Sequence, residues 1–153
     1  MKPIYGLSAS TILFLGACAG ALTVSARPSH AEDLAFVERA TTDAVLDTGV
    51  KGDTPGDILT FGNDLYDAED KNKVGSDNGW CIRTVAGKAW ECFWTMFLPD
   101  GQITVAGPFL DGKDSVLAVT GGTGKYQSTR GEMALHARDA QGSAYDFKYH
   151  LTD

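Results

Sequence analysis

The run GPFLDGKDSVLAVTGGTGKYQSTRGE, residues 107–132, constrains the fold more than any other part of the chain. It sets an alternating apolar stretch, residues 115–119, directly against Gly121, Gly122 and Gly124, and the strand pattern resumes at Gly131. Glycine at three of four positions asks for positive φ or for close approach to another segment, and a helix offers neither. A chain built this way turns tight corners between β-strands.

Alternation governs the rest of the chain, and no apolar period of 3.6 is sustained after residue 31. In residues 143–151, Tyr145, Phe147, Tyr149 and Leu151 share one face, with Asp146, Lys148 and His150 on the other. In residues 132–138, Met133, Leu135 and Ala137 oppose Glu132, Ala134 and His136, and the turn Asp139-Ala140-Gln141-Gly142 joins the two strands as a hairpin. A second hairpin pairs residues 90–98 with 102–106 through Pro99-Asp100-Gly101. Trp90, Cys92, Trp94, Met96 and Leu98 lie on one face of its first strand, and Phe93, Thr95 and Phe97 on the other. Bulky apolar groups on both faces suit a strand covered by a barrel interior on one side and by a neighbouring subunit or segment on the other. Further strands are expected at 34–40 and 57–66, and the charged stretch DAEDKNKVGSDN, residues 67–78, is expected as a solvated loop. About eight short antiparallel strands predict an all-β, closed barrel, which removes sheet edges and either fills its interior or holds one small ligand.

The first 31 residues carry a different signal. Met1-Lys2 gives a minimal positive start, residues 4–24 are apolar or small, and Ser29-His30-Ala31 offers small residues for a signal peptidase. Cleavage after Ala31 predicts a signal peptide over 1–31, a single domain over 32–153, and a secreted or periplasmic protein with no integral membrane span after processing. Two alternatives stay open: an uncleaved apolar anchor, and a lipoprotein acylated at Cys18 within Leu15-Gly16-Ala17-Cys18. Removing the leader takes away two cations, Lys2 and Arg27, and no acid, so the net charge falls from −7 to −9. So acidic a surface argues against nucleic acid or anionic membrane as partners.

Cys81 and Cys92 remain after cleavage, and an even pair in an oxidising compartment reads as a disulfide. If Ala86-Gly87 is a two-residue hairpin loop, Val85 faces Lys88 and Cys81 falls opposite Cys92, close to disulfide range. A loop one residue longer would spoil that register. Other signatures are absent: GGTGK lacks the first glycine and the Ser or Thr of a phosphate-binding loop, and no Gly-x-Ser-x-Gly elbow occurs. His136 and His150 are too few and too far apart to suggest a metal site.

GDILTFGNDLY, residues 56–66, resembles the GDLVPFTNKLY stretch of plant allene oxide cyclases, and Gly79-Trp80-Cys81 is similar to the family's glycine-x-cysteine. QITVAGPFL, residues 102–110, resembles its strand ending in GPYL, and Leu117-Ala118-Val119-Thr120-Gly121-Gly122 matches LAITGG. The continuation through Gly124-Lys125-Tyr126 to Thr129-Arg130-Gly131 is nearer to the GGTGxF…ARG motif of the related dirigent proteins.

The resemblance implies an eight-stranded antiparallel barrel of lipocalin-like shape, a homotrimer, and an elongated cavity for a small apolar molecule, lipid- or phenol-derived. It implies cyclisation or isomerisation by imposed conformation and exclusion of water, with no cofactor and no metal. Phe61, Asn63 and Cys81 match cavity positions, Phe109 stands where the cavity tyrosine of GPYL would be, and Glu38 takes the place of the catalytic glutamate. The sequence departs from the cyclase pattern in three ways. Ala40 replaces an asparagine, a Ser-Pro pair is missing, and Phe109 lacks the hydroxyl that would meet an epoxide oxygen. Those departures point away from allene oxide itself. They leave a cyclase or isomerase, a non-catalytic dirigent-type binder and a surface lipoprotein as rival readings. Arg130 is expected to hold loop carbonyls or a nearby acid such as Glu132.

Overall fold

The structure, a computed structural model, describes residues 31–152. The leader and its Cys18 lie outside the described residues. Ten antiparallel strands follow in order: β1 Ala31–Arg39, β2 Ala44–Leu46, β3 Ile58–Phe61, β4 Asp64–Tyr66, β5 Lys73–Val85, β6 Ala89–Leu98, β7 Gly101–Leu110, β8 Ser115–Gly122, β9 Arg130–Ala137 and β10 Ala144–Thr152. β4, β1, β10, β9, β8, β7 and β6 are successive neighbours, and β5 pairs with both β6 and β4. That closes an eight-stranded barrel, the expected fold, with β2 and β3 flanking it beside β5.

The pleat sorts the alternating residues as the sequence demands. Trp90, Cys92, Trp94 and Met96 of β6, Met133 and Leu135 of β9, and Phe147, Tyr149 and Leu151 of β10 are buried in one apolar cluster. Outward residues of β6 are less covered than expected, and Phe93 is exposed.

Three expectations need correction. Residues 57–66 form two strands, because the chain kinks at Gly62-Asn63, where Asn63 exchanges backbone hydrogen bonds with Asp77 (3.1 and 2.9 Å). The solvated loop after β4 is shorter than expected, since β5 begins at Lys73 and buries Asp77 despite its charge. The β5–β6 loop has three residues, with Val85 opposite Ala89 and the Lys88 amide donating to the Val85 carbonyl at 3.0 Å. Gly87 there takes φ +63°, as such loops require. The extra residue does not spoil the register, because a bulge between Arg83 and Val85 absorbs it and leaves Cys81 opposite Cys92. The two cysteines are disulfide-bonded, with Cα atoms 4.0 Å apart.

The barrel's two ends differ. The glycine-rich run of β8 leads into a single 3₁₀ turn, Gly124–Tyr126, whose Tyr126 ring is buried. The Thr123 amide donates to the Gln102 carbonyl (2.9 Å) and the Lys125 amide to the Asp100 carbonyl (2.9 Å), so the turn is laced to the β6–β7 corner. Gly124 has φ +59°, and a side chain there would strike the Asp100 carbonyl. Met96, Ile103 and Met133 fill the interior on this side with no exposed surface, each contributing about 1.5–3 kcal/mol by burial. Arg130 donates to the Thr129 carbonyl at 2.8 Å, the expected role toward a loop carbonyl.

The other end lies where β1 finishes and β10 begins, and a strap, residues 40–57, runs beside it. Asp57 pins the strap by accepting from the Thr48 and Thr54 amides, each at 2.8 Å. Arg83 reaches Asp53 at 2.6 Å and Asp111 at 2.7 Å while its guanidinium sits 3.9 Å over the Trp90 ring. This end holds the cavity.

Candidate ligand cavity and its carboxyl cluster

The cavity is open to solvent and contains about 350 Å³ of unfilled space, of which about 40 Å³ will take the centre of a water-sized sphere. Its wall is apolar and aromatic. Phe61 meets Trp94 edge-on at 5.9 Å, Trp94 lies 5.7 Å from Phe147, and Phe109 meets Tyr145 edge-on at 5.8 Å. The Cys81–Cys92 disulfide is part of the same wall, so Cys81 contributes a sulfur surface and no thiol.

Sequence reading and structure converge on most of this. Glu38, Phe61, Cys81 and Phe109 all line the cavity. Asn63 does not line it; it stands behind Glu38 and is almost wholly buried. Its amide nitrogen donates to Glu38 Oε1 at 2.8 Å and to Asp43 Oδ1 at 2.7 Å. Its oxygen accepts from the Thr41 amide, the Thr42 amide and the Thr42 hydroxyl, each at 3.0 Å. One asparagine thus fixes the start of the strap and holds two carboxyl groups side by side.

Three site residues escaped the sequence reading. Asp43 enters the cavity from the strap, which carried no strand pattern strong enough to place it. Asp77 lay in a segment read as solvated; in the barrel it is buried, and its Oδ2 has no hydrogen-bond partner. Tyr145 was legible as an inward residue, and the β1–β10 register sets it directly opposite Glu38. Its phenol belongs to the cavity in which Phe109 lacks one.

Burial governs the protonation of this cluster. Glu38 is pushed well above the ordinary carboxylate range, first by loss of solvent, then by the charge of Asp77, while the Asn63 amide opposes the shift and Asp43 adds to it. Asp77 is raised to about 7, chiefly by burial, with the Asn63 backbone amide opposing. A proton kept on Glu38 can donate to Asp77, which favours the neutral form of the first and the ionised form of the second. The two carboxyls titrate as a pair. Tyr145 is pushed up to about 12 by burial and then by Glu38, Asp43, Asp139 and Asp111, so its hydroxyl keeps its proton. The cavity therefore presents two neutral proton donors on facing strands, inside an aromatic wall. Such an arrangement can protonate or hydrogen-bond a carbonyl, epoxide or ring atom of an apolar guest.

Among the described residues, no group of three or more His, Cys, Asp or Glu is placed to hold a metal ion, and no helix is long and apolar enough to cross a membrane.

A family model described as allene oxide cyclase matches residues 32–142. A solved pyocyanin demethylase is similar at 25% identity and a TM-score of 0.68, over 78% of this chain and 99% of that one. The exo-specific intermolecular Diels-Alderase AbnU shares the fold at 15% identity and a TM-score of 0.66, over 81% of this chain and 99% of that one. The pterocarpan synthase dirigent protein GePTS1 does so at 14% identity and a TM-score of 0.63, over 83% of this chain and 86% of that one.

Proposed function

The chain belongs to the allene oxide cyclase family, and from that premise we propose that it is a secreted or periplasmic barrel that binds a small apolar molecule at its open end and directs the molecule's cyclisation or isomerisation. One observation carries this reading. Glu38, only 5% exposed, sits in the wall of an otherwise apolar cavity and is held as a neutral acid. A buried carboxyl with a raised pKa is costly to keep and serves proton transfer near neutral pH. Glu38 is the catalytic acid in this proposal. Tyr145 is a second donor, Phe61 and Phe109 shape the guest, and Asn63 positions Glu38. Phe109 in place of a tyrosine and the sealed thiol of Cys81 direct the proposal to a substrate other than an allene oxide.

The disulfide supports an oxidising compartment, in keeping with the signal peptide proposed over residues 1–31 and a mature domain over 32–153. A homotrimer is proposed on the barrel's outer face, where Trp80, Phe93, Ala106 and Ala118 align in one row across β5 to β8, with Trp80 45% and Phe93 38% exposed.

Native mass spectrometry of the mature protein tests the reading. A trimer carrying a co-purified lipid or phenolic is expected, and Glu38→Gln should retain that ligand while abolishing its conversion. A ligand-free monomer contradicts the proposal. A variant that converts the ligand normally leaves only the non-catalytic, dirigent-type role that the missing Phe109 hydroxyl favours.

A further inference from the structure

The cavity joins five aromatic side chains, Phe61, Trp94, Phe109, Tyr145 and Phe147, to two carboxyl groups, Glu38 and Asp43, and no Lys, Arg or His lines it. Buried carboxyls ordinarily face a cation. Arg83, the buried arginine at this end of the barrel, is committed to Asp53, Asp111 and the Trp90 ring. Asn63 offers its two carboxyl partners a single amide nitrogen, and the buried Asp77 Oδ2 next to Glu38 has no partner. Asp111 and Asp139 extend the negative field to the Tyr145 hydroxyl. The site thus has the acceptors and aromatic faces of a cation cage and lacks the cation.

We infer that the guest is a cationic aromatic: a planar ring system whose nitrogen is alkylated or takes up a proton inside the cavity. This rests on the reading of the open end as a ligand site and adds the charge of the ligand to it. A basic ring nitrogen takes the proton from the Glu38 carboxyl, leaving a carboxylate and an N–H cation within hydrogen-bond reach. A permanently charged ring instead sends that proton to water. Neither step needs an oxidant or a reductant. The groups facing Glu38 are Asp43 from the strap, Asp77 from β5, and Tyr145 and Tyr149 from β10, all acidic or neutral, so none competes as a cation. An anionic lipid headed by a carboxylate would meet the repulsion of the same groups.

Equilibrium dialysis of the mature protein with three bicycles of one size separates the possibilities: N-methylquinolinium, 2-methylnaphthalene and 2-naphthoate. The cation is expected to bind at least about tenfold tighter than the neutral ring, with the anion weakest. Asp43→Asn should cut the cation's advantage by about fivefold without changing the neutral ring's affinity, whereas Asp114→Asn, an exposed acid paired with His136, should change neither. Equal binding of cation and neutral ring overturns this inference and leaves the ligand-site reading standing. Loss of cation binding in both variants alike identifies attraction to an acidic surface and also overturns it. Failure of all three probes to bind overturns the ligand site as well.

Discussion

The two ends of this barrel are built from the same strands and solve opposite problems. At the glycine-rich end, Met96, Ile103 and Met133 fill the interior and the 3₁₀ turn seats Tyr126 over it, with Lys125 reaching Glu32 of β1 at 2.5 Å. At the other end the interior stays partly empty, and the chain places three carboxyl groups around one asparagine. The first arrangement gains stability from close packing. The second gives some of it up, because each buried carboxyl must stay protonated or ionise at a cost. The difference locates function: stability is concentrated where the chain closes, and chemistry where it leaves the barrel open.

The largest effect should come from the closed end. Met133→Ala is expected to lower stability by about 2–5 kcal/mol in urea denaturation while leaving ligand binding intact, because Met133 is fully buried among well-packed neighbours. A loss below about 1 kcal/mol would mean that this end is not close-packed. Next comes the cross-link in the cavity wall. Replacing Cys81 and Cys92 by alanine opens a loop of sequence separation 11 and should cost about 2–3 kcal/mol. It should also weaken ligand binding, which Met133→Ala does not.

The third prediction concerns pH. Asp77 has its folded-state pKa raised from 3.8 to about 7, so the folded protein holds a proton that the unfolded chain has released. Stability is then fully present below about pH 4 and falls as pH rises toward 7. Asp77→Asn should flatten that decline and stabilise the protein by about 1–2 kcal/mol at pH 8, measured by thermal melts across pH. An unchanged profile would remove Asp77 from the account. The smallest effect belongs to the cavity aromatics. Phe109→Leu should cost about 1 kcal/mol, since its ring packs edge-on to Tyr145 beside existing empty space.

Much of the closed end was legible in the sequence. Alternation in residues 132–138 and 143–151 identified the inward faces of β9 and β10, and the glycines of the 107–132 run announced a corner that side chains would block. The open end was legible only in part. Glu38, Phe61, Cys81 and Phe109 came from a family pattern and do line the cavity, but Asp43 and Asp77 had no local signal. An acidic stretch with lysines reads as solvated whether or not one aspartate turns inward, and burial of Asp77 depends on Asn63, which is 14 positions away in sequence. The β5–β6 turn shows the same limit. Its length was misread by one residue, and a bulge whose position no local rule fixes kept the cysteines paired.

The claim on which the contrast between the ends depends is that Glu38 keeps its proton at neutral pH. Carbon-13 NMR titration of the Glu38 side-chain carboxyl measures this directly. A transition well above the ordinary carboxylate range, which shifts downward in Asp77→Asn as the neighbouring charge is removed, is the predicted result. A transition near the value of an exposed glutamate, unmoved by that substitution, would contradict the account.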